Sequence, residues 1–367
     1  MRQKLIDEYY MHMALELALR GTGRTTPNPI VGCVLVKDGE VVGRGWHDHL
    51  GGLHAEANAL RDAGDRARGT TAYVTLEPCS HYGRQPPCAP ALVRAGIVRC
   101  VAAIGDPNPK VAGRGFSILE DAGISVTRGI LAHEAAWQNR GFLSLQTRNR
   151  PWVTLKAAVS ADASMALANG DSQWITGTEA RAAGHLIRSE NDVIITGSGT
   201  LLHDEPSLTV RYVEGPSPRP AIITAHPDRL SGDHAAIRQG TLVYCPEGAP
   251  VPDPLAPHVR RVPAGESGVD LSAVLADIAE LGLARVMVEA GARLSSSFIR
   301  AGLVDEYHLF AAPEFMGNGQ KLTGGITLGS MADVIPFRLR STRLVGKDIH
   351  IEGENPCSLD WLKQLEG

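Results

Sequence analysis

The sequence predicts an α/β protein built from two successive domains whose central strands are mainly parallel. Short apolar runs rich in Val and Ile alternate with segments of helical period throughout the chain. That pattern stops at the polar, Pro-terminated run Gln146-Thr147-Arg148-Asn149-Arg150-Pro151 and then starts again with a new strand. A length of 367 residues is also long for one hydrophobic core and comfortable for two.

In the first half, Leu5, Met13, Leu15, Leu17 and Leu19 mark a helix over about residues 5–19 that ends near Gly21. After Thr26-Pro27-Asn28-Pro29 come a strand from Ile30 to Val36, a Lys37-Asp38-Gly39-Glu40 turn and a second strand, Val41-Val42-Gly43. Gly52-Leu53-His54-Ala55-Glu56-Ala57 reads as a helix start, and Thr71 to Glu77 as a strand stopped by Pro78. Strands follow at Val98 to Ile104 and Ile124 to Val126, then a helix from His133 to Leu145. This sets the domains at 1–147 and 148–367. The second half predicts strands at Trp152 to Lys156, Asp192 to Thr196, Pro220 to Thr224, Thr241 to Cys245, Arg285 to Glu289 and Glu306 to Ala311. Helices intervene near Glu179 to Ser189, Leu271 to Leu281 and Arg293 to Ala301. There is no internal repeat, so the halves read as two different α/β domains.

Composition narrows the function classes. Hydrophobic residues at 43% and charged residues at 21% describe a globular chain rather than a disordered one. A net charge of −4, no Lys/Arg run and 5% aromatic content give no footprint for nucleic acid. The N-terminus carries Asp7 and Glu8 where a signal peptide would be apolar, and no apolar stretch is long enough to cross a bilayer. Six scattered cysteines do not suggest a disulfide framework, so a reducing cytoplasm is the expected location.

Chemistry concentrates in two segments, His54-Ala55-Glu56 and Pro78-Cys79 with Cys88. One imidazole, two thiolates and an unclaimed carboxylate are the inventory of a hydrolytic zinc centre: three protein ligands, one open position for water, and an acid/base to move protons. Such a centre removes amino groups from nitrogen heterocycles. A closed structural site would need a fourth ligand, for which His81 is the candidate. The common deaminase signature has two residues between its cysteines, whereas here eight lie between them.

In the second half, Gly197-Ser198-Gly199-Thr200 and Gly291-Ala292-Arg293-Leu294-Ser295-Ser296-Ser297 each follow an apolar strand. Small-residue turns entering helices present backbone N–H groups to phosphate, and the hydroxyls of Thr200 and Ser295 to Ser297 could add donors. Neither turn is a complete dinucleotide fingerprint, but two at strand ends favour a nucleotide site there.

These residues resemble the bifunctional riboflavin biosynthesis deaminase-reductase family. The motifs that carry the resemblance are Thr26 to Cys33, His54 to Ala57, Glu77 to Cys88, Asp106 to Gly113, Ser172 to Thr176, Gly197 to Thr200, Asp204 to Arg211 and Glu289 to Gly291. The eight-residue gap between the cysteines matches that family's own pattern. The resemblance implies a cytidine-deaminase-like three-layer domain followed by a dihydrofolate-reductase-like domain with a mixed, largely parallel sheet. His54, Cys79 and Cys88 would bind Zn2+, with Glu56 as the catalytic proton carrier and Asn28 on the substrate; an Asx-type turn is the alternative role for Asn28. Asp106 to Pro109 would form a rim loop. NADPH would meet Ala158, Trp174, Thr200, Asp204 and the turn Gly291, Ala292, Arg293, Leu294, Ser295, Ser296 and Ser297. The substrate, a phosphoribosylated pyrimidine, would meet Ser172, Arg188, Leu208, Arg211 and Glu289, the arginines suiting a 5′-phosphate. The family is also homo-oligomeric by expectation.

Three positions depart from the family pattern: Ala163 and Ala290 stand where glycine is usual, and Glu205 where Asp or Asn is usual. Two other readings stay open at this point. One is an RNA-editing deaminase with a C-terminal binding module, and the other a structural zinc domain joined to a nucleotide sensor.

Overall fold

Every apolar run named above forms a sheet strand in the computed structural model, which describes residues 2–82, 85–108 and 112–365. The parts of the Cys79–Cys88 and Asp106–Gly113 motifs at Gly83, Arg84, Pro109, Lys110 and Val111 lie outside the described residues. Two compact units are present, one comprising the chain up to Asn149 together with the stretch from Asp360, the other Arg150–Leu359.

In the first unit, β1 (Gly32–Lys37), β2 (Glu40–Trp46), β3 (Thr71–Leu76), β4 (Arg99–Ile104) and β5 (Ser125–Thr127) form one sheet in the order β2-β1-β3-β4-β5. β3, β4 and β5 are parallel, while β1 runs antiparallel to both β2 and β3. Alternation along β1 sends Cys33 and Leu35 to one face and Val34 and Val36 to the other, so each face has its own core. Helix α1 (Arg2–Ala18) covers one face through Met11, Ala14 and Leu15. Helices α2 (Ala55–Ala63), α3 (Cys88–Ala95) and α4 (Arg114–Asp121) cover the other through Ala59, Leu92 and Leu119. The result is the expected three-layer arrangement. Gly45 on β2 lets α2 lie very close to the sheet, since a Cβ there would fall 2.1 Å from the Ala55 carbonyl oxygen.

The helix expected from His133 to Leu145 is two helices, α5 (Ala132–Gln138) and α6 (Arg140–Arg148). Asn139 interrupts it because its side chain pairs with the backbone of Ile30, accepting from the N–H and donating to the carbonyl, both at 3.0 Å.

The second unit has a nine-stranded sheet. Its strands are β6 (Trp152–Ser160), β8 (Val193–Gly197), β9 (Arg219–Ile223), β10 (Leu242–Pro246), β11 (Val259–Val262), β12 (Arg285–Val288), β13 (Glu306–Ala312), β15 (Arg338–Val345) and β16 (Asp348–Glu354), and β7 (Ser164–Ala166) pairs separately with β14 (Gln320–Lys321). The order β11-β10-β9-β8-β12-β6-β13-β16-β15 is parallel from β11 to β13 and antiparallel at β16 and β15. Helices α7 (Thr178–Ser189), α8 (Ser198–Asp204), α9 (Leu271–Glu280) and α10 (Ala292–Arg300) pack on this sheet, and α11 (Pro356–Gln364) closes the chain's regular structure. β11 and the β15–β16 hairpin were not evident from sequence. β15 is exposed along most of its length and carries Arg338, Arg340 and Arg343 instead of an apolar stripe.

Assigning everything after residue 147 to one domain does not describe the last residues. Trp361, Leu362 and Leu365 pack with the first unit's core around Tyr10, Met11 and Leu15, and Leu362 is fully buried. The Arg148 guanidinium stacks on the Trp361 ring at 3.9 Å.

Candidate active sites in the two units

The first site lies where α2 begins, where β3 ends and where α3 begins. His54 is the residue immediately before α2, in extended conformation, so its imidazole projects from the helix end. Cys79 follows β3 after Pro78, and Cys88 opens α3. His54 Nδ1 is 3.5 Å from Cys79 Sγ and 3.4 Å from Cys88 Sγ. A tetrahedral ion with Zn–S of ~2.3 Å and Zn–N of ~2.0–2.1 Å sets its N···S edges at about 3.6 Å. The donor set and its spacing therefore fit zinc. Among the described residues no fourth ligand joins this group, and His81 is exposed outside it. The arrangement is that of an open site.

The two thiols share one proton, which shifts Cys79 down and Cys88 up. The Cys79 thiol is pushed down to about 4 because its sulfur accepts from the Cys88 thiol, a pull that exceeds the opposing effect of burial, with His54 adding to it. The first backbone N–H of α3, on Cys88, also donates to Cys79 Sγ at 3.3 Å. Glu56, two residues after His54, is only 4% exposed, and burial raises its carboxyl to about 7. A carboxyl of that acidity can take and return a proton at neutral pH.

Asn28 lies beside this group. Its side-chain amide is 3.3 Å from His47 Nε2, and the His47 ring meets the His54 ring edge-on at 5.5 Å. His47 Nδ1 contacts the Leu53 carbonyl at 3.1 Å and must donate to it, which leaves Nε2 to accept from Asn28. The NH2 group of Asn28 is thus taken by His47. The buried Glu77 carboxylate accepts from the backbone N–H groups of Asp106, Gly113 and Gly115 at 3.3, 3.0 and 2.9 Å.

The second site is a cavity of about 970 Å³ at the C-terminal ends of β8, β9 and β12. That is the upper end of the ~300–1,000 Å³ typical of small-molecule sites. Ala158, Ser172, Trp174, Arg188, Thr200, Asp204, Leu208, Arg211, Glu289, Gly291, Ala292, Arg293, Leu294 and Ser297 all line it. Ser295 and Ser296 do not. Their hydroxyls are buried and donate to the carbonyls of Ala290 and Leu322 at 3.1 and 2.8 Å, so helical phase turns them inward. Leu208 reaches the cavity while belonging to a core cluster with Ile187 and Ile222. Trp174 is 64% exposed, with the Arg181 guanidinium 4.6 Å over its ring.

At the cavity's centre Glu289 joins two cations, Lys156 Nζ to Oε1 and Arg188 Nε to Oε2, each at 2.8 Å. Burial would raise the carboxyl, but Lys156 and Arg188 outweigh it and hold the group well below the usual carboxylate range. The Gly291 N–H donates to Thr200 Oγ1 at 3.1 Å. Gly291 and the first residues of α10, Ala292 to Leu294, line the cavity, and a helix start suits the phosphates of a dinucleotide.

Comparison with known proteins agrees with both sites. Residues 4–104 match the cytidine and deoxycytidylate deaminase zinc-binding region, and residues 151–351 match the RibD C-terminal domain. The riboflavin biosynthesis protein RibD of Escherichia coli (strain K12) is 40% identical over 95% of this chain and 99% of its own length. The chain belongs to the RibD family. Two solved structures are similar to nearly all of it. Acinetobacter baumannii RibD has 38% identity and a TM-score of 0.87, and a diaminohydroxyphosphoribosylaminopyrimidine deaminase/5-amino-6-(5-phosphoribosylamino)uracil reductase from Thermotoga maritima has 32% identity and a TM-score of 0.86. Each alignment covers 96% of this chain and 99% of the other. As a RibD protein, the chain is a bifunctional deaminase and reductase of riboflavin biosynthesis.

Within this RibD chain, sequence reasoning passed over His47, Glu77 and His185 and gave Lys156 no role. His185 stands alone among unrelated neighbours, and His47 lies in the run His47-Asp48-His49, which matches no motif of the site. Glu77 was quoted only as part of a motif. The ion pair of Lys156 with Glu289 joins residues 133 positions apart, a relation that only the parallel pairing of β6 with β12 creates. No helix among the described residues is long and apolar enough to cross a membrane.

Proposed function

We propose that the first unit deaminates 2,5-diamino-6-ribosylamino-4(3H)-pyrimidinone 5′-phosphate and that the second then reduces its ribosyl chain to ribityl. The observation that carries the first step is the near-equal reach of His54 Nδ1 to two sulfurs, with the buried Glu56 in the first turn of the helix that His54 precedes. His54, Cys79 and Cys88 would hold zinc, which would supply a water acidified to near neutrality as the nucleophile. Glu56 would carry one proton from the attacking water to the ring nitrogen and then a second, from the newly added hydroxyl, to the departing amine. Its acidity near 7 suits both directions of transfer. Asn28, oriented by His47, hydrogen-bonds the ring or the ribose.

NADPH supplies the hydride for the second step. The N–H groups at Ala292, Arg293 and Leu294 would receive its phosphates, and Thr200 holds the Gly291 N–H at the start of that turn. Ala158, Trp174, Asp204 and Ser297 complete the cofactor's surroundings. Ser172, Leu208, Arg188, Arg211 and Glu289 receive the substrate, the two guanidiniums at its phosphate. Lys156 is held by Glu289 and offers its remaining protons to the sugar. The protein works in the cytoplasm as a homo-oligomer, without nucleic acid or membrane as partner.

Metal analysis and ammonia release test the first assignment together. Purified protein is expected to hold about one zinc per chain, and Cys88→Ser to lose both metal and activity. Full deamination by a metal-free Cys88→Ser protein would overturn it.

A further inference from the structure

His185 on α7 is 5% exposed and lines the reductase cavity with Arg188, Arg211 and Tyr212. Its Nδ1 lies 3.0 Å from the backbone nitrogen of Arg211. A backbone N–H can only donate, so Nδ1 carries the lone pair and the single proton of the neutral ring sits on Nε2. Nε2 faces Arg188 Nη1 at 3.5 Å, and a guanidinium also only donates. Two donors turned toward each other make no hydrogen bond. They mark the place of an acceptor.

The donors on both sides are in reserve. One Nη1 hydrogen of Arg188 goes to the Thr209 carbonyl at 2.9 Å, and Nε goes to Glu289, which leaves the second Nη1 hydrogen for the side of His185. The imidazole stands edge-to-face on Tyr212, with centroids 4.7 Å apart and planes at 90°, so its orientation is fixed by packing as well as by the Arg211 N–H. Burial and the adjacent Arg188 cation push the ring down to about 4, which keeps it neutral at working pH. The charge around the gap selects the acceptor. Lys156, Arg188 and Arg211 are three cations against the one carboxylate of Glu289. The excess matches a phosphate monoester, which carries about −1.5 to −2 near pH 7.

We propose that His185 Nε2–H is a specificity-determining donor for the phosphate monoester of the reductase substrate, gripping one phosphate oxygen together with Arg188 Nη1. This rests on the reading that Arg188 and Arg211 hold that phosphate.

Two substitutions separate binding from support of the loop. His185→Asn keeps an acceptor near the Nδ1 position for the Arg211 N–H but loses the distal donor. His185→Gln restores a donor near the Nε2 position. Steady-state NADPH oxidation is measured with 5-amino-6-(5-phosphoribosylamino)uracil and with its dephosphorylated riboside, turnover of the riboside and the thermal melt of the same proteins confirming that the reductase unit is folded. The expected result is a KM for the phosphorylated substrate raised roughly ten- to hundredfold in His185→Asn. Little change is expected with the riboside, and recovery toward wild type in His185→Gln. Rescue by Asn and not by Gln would overturn the proposal, because supporting the Arg211 backbone would then be the residue's role. Arg211→Ala in the same assay isolates the underlying reading. If it abolishes the preference for phosphate while His185→Asn leaves it intact, only the His185 assignment fails. If neither variant alters the preference, the phosphate does not bind here and both fail.

Discussion

Replacing Glu289 by Gln removes one charge from the middle of an ion triad and keeps its shape. In the wild-type protein each carboxylate oxygen takes one cation at 2.8 Å, and the three side chains are 21%, 13% and 12% exposed for Glu289, Lys156 and Arg188. The amide can still accept from one cation, but its NH2 then faces the other as donor against donor. One charge-assisted bond is lost outright, a term of ~1.5–3 kcal/mol, and a half-buried cation is left uncompensated. Full burial would make that ~3–5 kcal/mol, but partial exposure to the cavity lets water screen the cation, so about 2–4 kcal/mol is expected. In a unit of this size that lowers Tm by roughly 5–12 °C. Because Glu289 ionises far more readily folded than unfolded, its stabilisation is complete above the ordinary carboxylate pKa of about 4.3 and declines as pH falls below it. The gap between wild type and Glu289→Gln should therefore be widest near neutrality and close in acid. Urea denaturation across pH, with NADPH oxidation and ammonia release measured in parallel, checks all of this. Reductase kcat/KM should fall by roughly tenfold or more while deamination persists. A variant equal to wild type in stability at pH 7 and in reductase activity would refute the triad's role.

Three other outcomes are expected. Glu56→Gln should keep its zinc, since Glu56 is outside the three-ligand group, and lose ammonia release by about 10²–10⁴-fold; metal analysis beside a deaminase assay decides it. Ala163→Gly should raise Tm modestly, because Ala163 sits at φ 63°, where a side chain costs about 1–2 kcal/mol and glycine's extra unfolded-state entropy returns only about half of it; a scanning calorimetry trace with an unshifted or lower Tm would count against the strain. Leu362→Ala should destabilise the deaminase unit by about 2–4 kcal/mol and spare the reductase, since this fully buried side chain near the C-terminus packs in the first unit's core; thermal inactivation of the two activities should diverge accordingly.

The zinc site was legible because its chemistry is local: His54 and Glu56 are two residues apart, and Cys79 and Cys88 bracket one loop. Strands such as Val193–Gly197 and Arg285–Val288 were legible because a strand buried on both faces reads as an unbroken apolar run. What stayed hidden depends on distant partners. The β15–β16 hairpin, at a sheet edge, alternates charged and apolar residues too weakly to announce itself. The break at Asn139 exists only because Ile30 offers its backbone 109 positions away. Ser295 and Ser296 looked like cofactor donors because a small-residue turn does not reveal helical phase, and the structure sends both hydroxyls into the interior. The return of the last helix to the first unit is equally a matter of tertiary packing, resting on Trp361 and Leu362.

The central claim is that one chain performs deamination and then reduction, in that order. The most direct measurement supplies the diaminopyrimidine phosphate with NADPH and follows ammonia and NADPH oxidation together, in wild type and in Glu56→Gln. Ammonia should appear first and NADPH loss should follow after a lag; in Glu56→Gln neither should proceed from this substrate, while the deaminated uracil compound still consumes NADPH at the wild-type rate. NADPH oxidation that precedes ammonia, or that continues from the diaminopyrimidine in Glu56→Gln, would contradict the account.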